Sequence, residues 1–129
     1  MNTLQSSAEL IGRILMAAIF VIAGYGKITA YAGTQAYMAS AGVPGALLPL
    51  VIALELGGGL LLIAGYQTRL LALVLAGFSL VTAALFHNPL ADHAMLTMFL
   101  KNVAMAGGFL IIAVHGAGPL SLDHRFRTS

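Results

Sequence analysis

Residues 44–66 read PGALLPLVIALELGGGLLLIAGY, an apolar run broken by a single charge, Glu55. A helix needs about 20 apolar residues to cross about 30 Å of hydrocarbon, and this run is that long. Three similar runs flank it. The first covers about residues 8–28 and contains ILMAAIFVIAG; the third covers about 68–87 and the fourth about 95–116. Backbone groups in lipid must find partners within their own segment, so each run is predicted to be a helix. The chain is therefore expected to be all-α, an integral membrane four-helix bundle, with residues 1–129 as one transmembrane domain.

Composition leads to the same solvent. Of 129 residues, 60% are hydrophobic and 8% charged, against about 25% charged in a soluble domain. A chain this short cannot hide so much apolar surface, so the bilayer is its expected partner. Six Lys and Arg give a net charge of +2. They form no basic stripe, which argues against nucleic-acid binding. The absence of cysteine rules out disulfides, thiolate metal sites and cysteinyl iron–sulfur ligation within the chain. A redox role then requires an organic cofactor or a partner subunit. His87 and His93 with Asp92 lack the spacing of a metal site. His87 and His115 fall at opposite ends of their spans, so they cannot share a haem. No metal, haem or iron–sulfur cluster is expected. Met38, Met95, Met98 and Met105 suit adaptable packing rather than copper.

The connections differ in kind. Residues 31–42, YAGTQAYMASAG, are polar enough for a short interfacial helix between spans one and two, with Tyr31 and Tyr37 as anchors. Pro44 suits the first turn of span two. A tight turn at 66–69 joins spans two and three, His87-Asn88-Pro89 ends span three, and Gly116, Gly118 and Pro119 end span four. The AYA at 30–32 resembles a signal-peptidase site, but no basic segment precedes the apolar run and Glu9 does, so the first helix is expected to be retained. Arg13, Arg69, Arg125 and Arg127 fall on the side of the two termini, and the opposite loops hold no Lys or Arg. Both termini are therefore expected in the cytoplasm.

This topology turns scattered residues into a depth map. Lys27 closes span one, Glu55 lies about 15 Å into span two, and Lys101 about 9 Å into span four from the same face. Long lysine stems allow both ammonium groups to approach the carboxylate, with Asn102, Tyr25 and His87 nearby. Charge inside hydrocarbon costs several kcal/mol, so such groups face each other or a ligand. One role is a salt bridge that fixes helix register. The other is a site, with Glu55 as proton relay and Lys27, Lys101, Asn102, His87 and Tyr25 as ligand-binding residues. The glycines at 57–59 admit a neighbouring helix, like the small-residue pair Ala104/Gly108, or a flat ligand.

These motifs resemble those of the DoxX family of small bacterial membrane proteins, in particular its YqjF-like members. The likeness runs through Arg13, Phe20, Ala23, Gly24, Gly26 and Lys27, then Glu55, Gly58, Gly59 and Leu60, then Gly65, Thr68 and Arg69. It includes YAGTQAYM with the GVPG and LP that follow, Lys101-Asn102, and a closing Gly116, Gly118, Pro119, Ser121 and Asp123. The resemblance implies a four-helix protein of the bacterial inner membrane, with a link by family name to quinone-dependent redox systems. On that footing the chain is expected to be a quinone-associated subunit or accessory, catalytic only with a redox partner protein. The alternatives are a non-enzymatic protein that binds or moves a small molecule or lipid, and a scaffold for a membrane complex. A homo-oligomer with the site at its interface is a further arrangement open to so small a bundle.

Overall fold

The computed structural model describes residues 3–126; Arg127, counted above for orientation, lies outside them. Four helices are long and apolar enough to cross a membrane: Thr3–Thr29, Gly45–Ala64, Thr68–Phe86 and His93–His115. They are called the first to fourth spans below. A short helix, Tyr31–Ser40, lies between the first and second spans, and another, Leu122–Phe126, closes the chain. No strand occurs among the described residues. The expected all-α bundle with its connecting helix is what forms. Spans alternate in direction, so Thr3, the Leu122–Phe126 helix and the 65–67 turn share one end of the bundle, here called the terminal end. The Tyr31–Ser40 helix and the 87–92 loop occupy the other, here called the loop end.

Local chemistry sets the helix ends. Gly65 and Gly116 terminate the second and fourth spans with φ of 77° and 80°, a region closed to most side chains. The Asp92 side chain caps the fourth span by accepting from the Met95 amide at 2.8 Å. The third span is capped from afar: the Asp123 carboxylate accepts from the Gln67 and Thr68 amides, each at 2.8 Å. Gln67 carries the positive φ of 52° that this arrangement requires.

The second span is not a uniform helix. It opens with a 3-10 turn at Gly45–Leu47 and widens to a π turn at Ala53–Gly57, with α-helix on either side. Glu55 sits in the middle of the π turn. Such single turns recur at functional positions because they loosen the regular i to i−4 bonding.

Packing of the first span on the second depends on two glycines. A Cβ at Gly24 would lie 2.8 Å from the Leu56 backbone nitrogen, and one at Gly59 would lie 2.8 Å from Val21 Cγ2. Gly57 has open space around it. The glycines that matter near Glu55 therefore admit a helix, through Gly59. Of the other pair, Gly108 lies under the Met16 side chain and Ala104 is exposed. Gly24→Ala is expected to lower stability by about 1–3 kcal/mol, since backbone stands in the way. Gly26 has no neighbour within 4 Å, so Gly26→Ala should be neutral or slightly stabilising. Thermal melting of both variants in one detergent checks the contrast.

The solid part of the core lies towards the terminal end, where Ala17, Phe20, Leu62, Ala72, Leu75, Ala76, Ala106 and Phe109 pack together. Phe20 bridges Phe78 and Phe109, with ring centroids 6.1 and 5.5 Å away. Towards the loop end the bundle is hollow.

Candidate functional site

The hollow is a cavity of about 420 Å³ bounded by all four spans and the Tyr31–Ser40 helix. Its walls are apolar: Ile19, Phe20 and Ala23 from the first span, Val51 from the second, Phe78 and Leu85 from the third, and Met105 from the fourth. Tyr37 and Met38 of the connecting helix close it on the loop side, where the Tyr37 ring stacks on Phe86 at 5.3 Å. Gln35 donates to the Gly45 carbonyl at 3.2 Å and ties that helix to the second span.

Five of the six residues singled out in the sequence line this one cavity: Lys27, Glu55, His87, Lys101 and Asn102. The sixth, Tyr25, is 63% exposed on the outer face of the first span and does not line it. Lys27 Nζ lies 2.8 Å from Glu55 Oε1, and the carboxylate is only 6% exposed. Lys101 makes no ion pair among the described residues, so one lysine meets the carboxylate and the other does not. Asn102 is buried and its amide nitrogen is already committed, donating to the Ser79 carbonyl at 3.2 Å and to Thr82 Oγ1 at 3.0 Å.

His87 caps the third span at the loop end, just outside the helix. Its Nδ1 is buried and meets no partner with hydrogen-bond geometry. Burial, and then the nearby Lys101 ammonium, hold its pKa below the usual imidazole range, with the Phe86 backbone pulling weakly the other way. The ring, which lines the cavity, is therefore mostly neutral at pH 7. A pocket with apolar walls and a few uncommitted polar atoms has the make-up of a small-molecule site, and 420 Å³ falls in the usual size range.

Some of this escaped sequence reasoning. Ser79 and Thr82, which hold Asn102, were the polar i, i+3 pair within the apolar stretch that follows Arg69, a signal of interhelical bonding. The Tyr37–Phe86 wall depends on how the connecting helix folds back, which no local pattern encodes.

A second polar cluster occupies the terminal end. Arg13, 3% exposed, donates to the carbonyls of Ala117 at 2.5 Å, Leu120 at 2.9 Å and Ile63 at 3.1 Å. Asp123, 1% exposed, caps the third span and donates its own amide to the Gly65 carbonyl at 2.9 Å. Arg13, Gly65, Thr68, Ser121 and Asp123 are thus one structural latch. It joins the first span, the 65–67 turn and the tail.

Comparison with known proteins agrees with this anatomy. The family model described as DoxX matches residues 8–88. Inner membrane protein YqjF of Escherichia coli (strain K12) is 52% identical over 123 residues, covering 95% of each chain. Inner membrane protein YphA of the same organism is 38% identical over 123 residues, 90% of this chain and 88% of that one. No solved structure matches the chain significantly.

Proposed function

The chain belongs to the DoxX family and is an integral, multi-pass protein of the bacterial inner membrane, and we propose that it binds a quinone there as a subunit or accessory of a membrane redox system. The observation that carries this reading is the cavity: apolar walls for a flat ring, with an ion pair, a lysine and an imidazole nitrogen in reach of ring oxygens. Lys101 and His87 are the groups with hydrogen-bonding capacity to spare, and Asn102 acts by fixing the third and fourth spans. Glu55, in its π turn and held by Lys27, is the candidate to accept or release the proton that accompanies quinone chemistry. The electrons would come from a partner protein. Both termini face the cytoplasm in this proposal, since Arg13, Arg69 and Arg125 cluster at the terminal end and no Lys or Arg occupies the loops opposite.

Val51 lines the cavity from the second span, so Val51→Trp should fill it with an indole ring. Protein purified in mild detergent is expected to yield near-equimolar quinone in an organic extract. The Val51→Trp protein should yield several-fold less at an unchanged melting temperature. Glu55→Gln is expected to stop quinone-linked turnover with the partner while leaving the fold intact. Wild-type protein without quinone would turn the assignment towards a carrier of another small molecule, or a scaffold.

A further inference from the structure

The charges that line the cavity do not cancel. Lys27 and Glu55 neutralise each other across 2.8 Å. Lys101 lines the same space with no carboxylate within ion-pair distance among the described residues. It stands eight residues past His93, about 12 Å down the fourth span. Its side chain is exposed on the span, where the surrounding medium is hydrocarbon, so its ammonium keeps more of its attraction for an anion than it would in water. The Asn102 amide nitrogen, a neutral donor that would suit an uncharged carbonyl, is spent on Ser79 and Thr82. The lining also holds Tyr37 and, near Lys101, the His87 ring, with a buried nitrogen that lacks a partner.

We infer that the cavity selects a singly anionic amphiphile: an apolar body carrying one ionised oxygen, which pairs with Lys101 and takes a hydrogen bond at His87. This rests on the reading of the cavity as a ligand site and adds the charge of what enters it. The chemistry has two sources, a quinone-class ring with an acidic hydroxyl group and a long-chain carboxylate. A snorkelling lysine that merely reaches lipid phosphates would show no such selectivity.

The test uses the full chain in nanodiscs of zwitterionic lipid and three probes. The first is an alkyl hydroxynaphthoquinone, at a pH where its hydroxyl is ionised. The second is its O-methyl ether, of the same shape but neutral, and the third a fatty carboxylate of matching length. The wild-type protein is expected to bind the hydroxyl probe at least tenfold more tightly than the ether. Lys101→Gln should bring that ratio close to one, and Lys101→Arg should restore it. Displacement of the hydroxyl probe by the carboxylate assigns the site to lipid acids; no displacement assigns it to the ring class. Either result upholds the charge selection. Equal binding of probe and ether by the wild type overturns it while leaving a quinone site standing. A preference that survives in Lys101→Gln overturns the role of Lys101. Failure of all three probes to bind removes the ligand site itself.

Discussion

Arg13→Ala is expected to lower the stability of the protein by about 3–5 kcal/mol and to free its tail. The guanidinium is 3% exposed and ten residues into the first span. Its hydrogen bonds reach Ile63, in the last turn of the second span, and Ala117 and Leu120, beyond the fourth. These are carbonyls that helix ends and irregular backbone leave without partners of their own. Alanine leaves the Ala117 carbonyl buried and unpaired, at roughly 1–3 kcal/mol before relaxation, and the part-buried carbonyls of Ile63 and Leu120 without their donor. It also removes the positive charge that faces Asp123 and Glu9. Arg13→Lys should recover less than half of the loss, because one ammonium cannot reproduce the fork that reaches two directions at once. Denaturant-driven unfolding in a fixed detergent gives the energy, and protease cleavage beyond Gly116 reports tail release. A variant that melts like the wild type and resists cleavage would show that the tail is held by its other contacts, chiefly Asp123 on the 65–68 turn.

That latch marks where sequence reading stopped. The spans were legible because hydrocarbon demands length and apolarity from every residue in them, and both are properties of a local window. Their ends were less so. The first helix is described from Thr3, so Thr3–Ser7 are helical ahead of the apolar run that starts near Ala8. The tail motif, Gly116 to Asp123, was visible as a pattern without a partner. Its partner is Arg13, more than 100 residues earlier, which the sequence offered as a topology marker and as part of the first-helix motif, with nothing to join it to the tail. The charged residues of the cavity were legible for the opposite reason: they stand alone in apolar surroundings. Depth alone could not tell which lysine meets Glu55. That choice is made by the helix faces, which put Lys27 on the carboxylate and leave Lys101 apart. The π turn at Ala53–Gly57 has no composition of its own and could not be read at all.

Lys27→Leu is expected to damage the fold more than Glu55→Leu, although each breaks the same ion pair. The difference lies in depth. Lys27 is two residues from the end of the first span, 28% exposed, with a stem long enough to carry its charge to the loop end when Glu55 is absent. Glu55→Leu should therefore cost about 1 kcal/mol or less. Glu55 is ten residues past Gly45, roughly 15 Å into the second span, on a short side chain that cannot reach the surface. Lys27→Leu strands it there, and loss of one partner of a buried pair costs about 3–5 kcal/mol. The double variant should regain most of that stability, since apolar residues of similar volume replace buried pairs with little or no loss. A double-mutant cycle in unfolding experiments measures all three terms. Equal losses in the two single variants would mean that Glu55 has a second route to solvent or another donor. The cycle also separates structure from chemistry. If the double variant is as stable as the wild type yet retains no quinone, the ion pair is present for the ligand, and the bundle would stand without it.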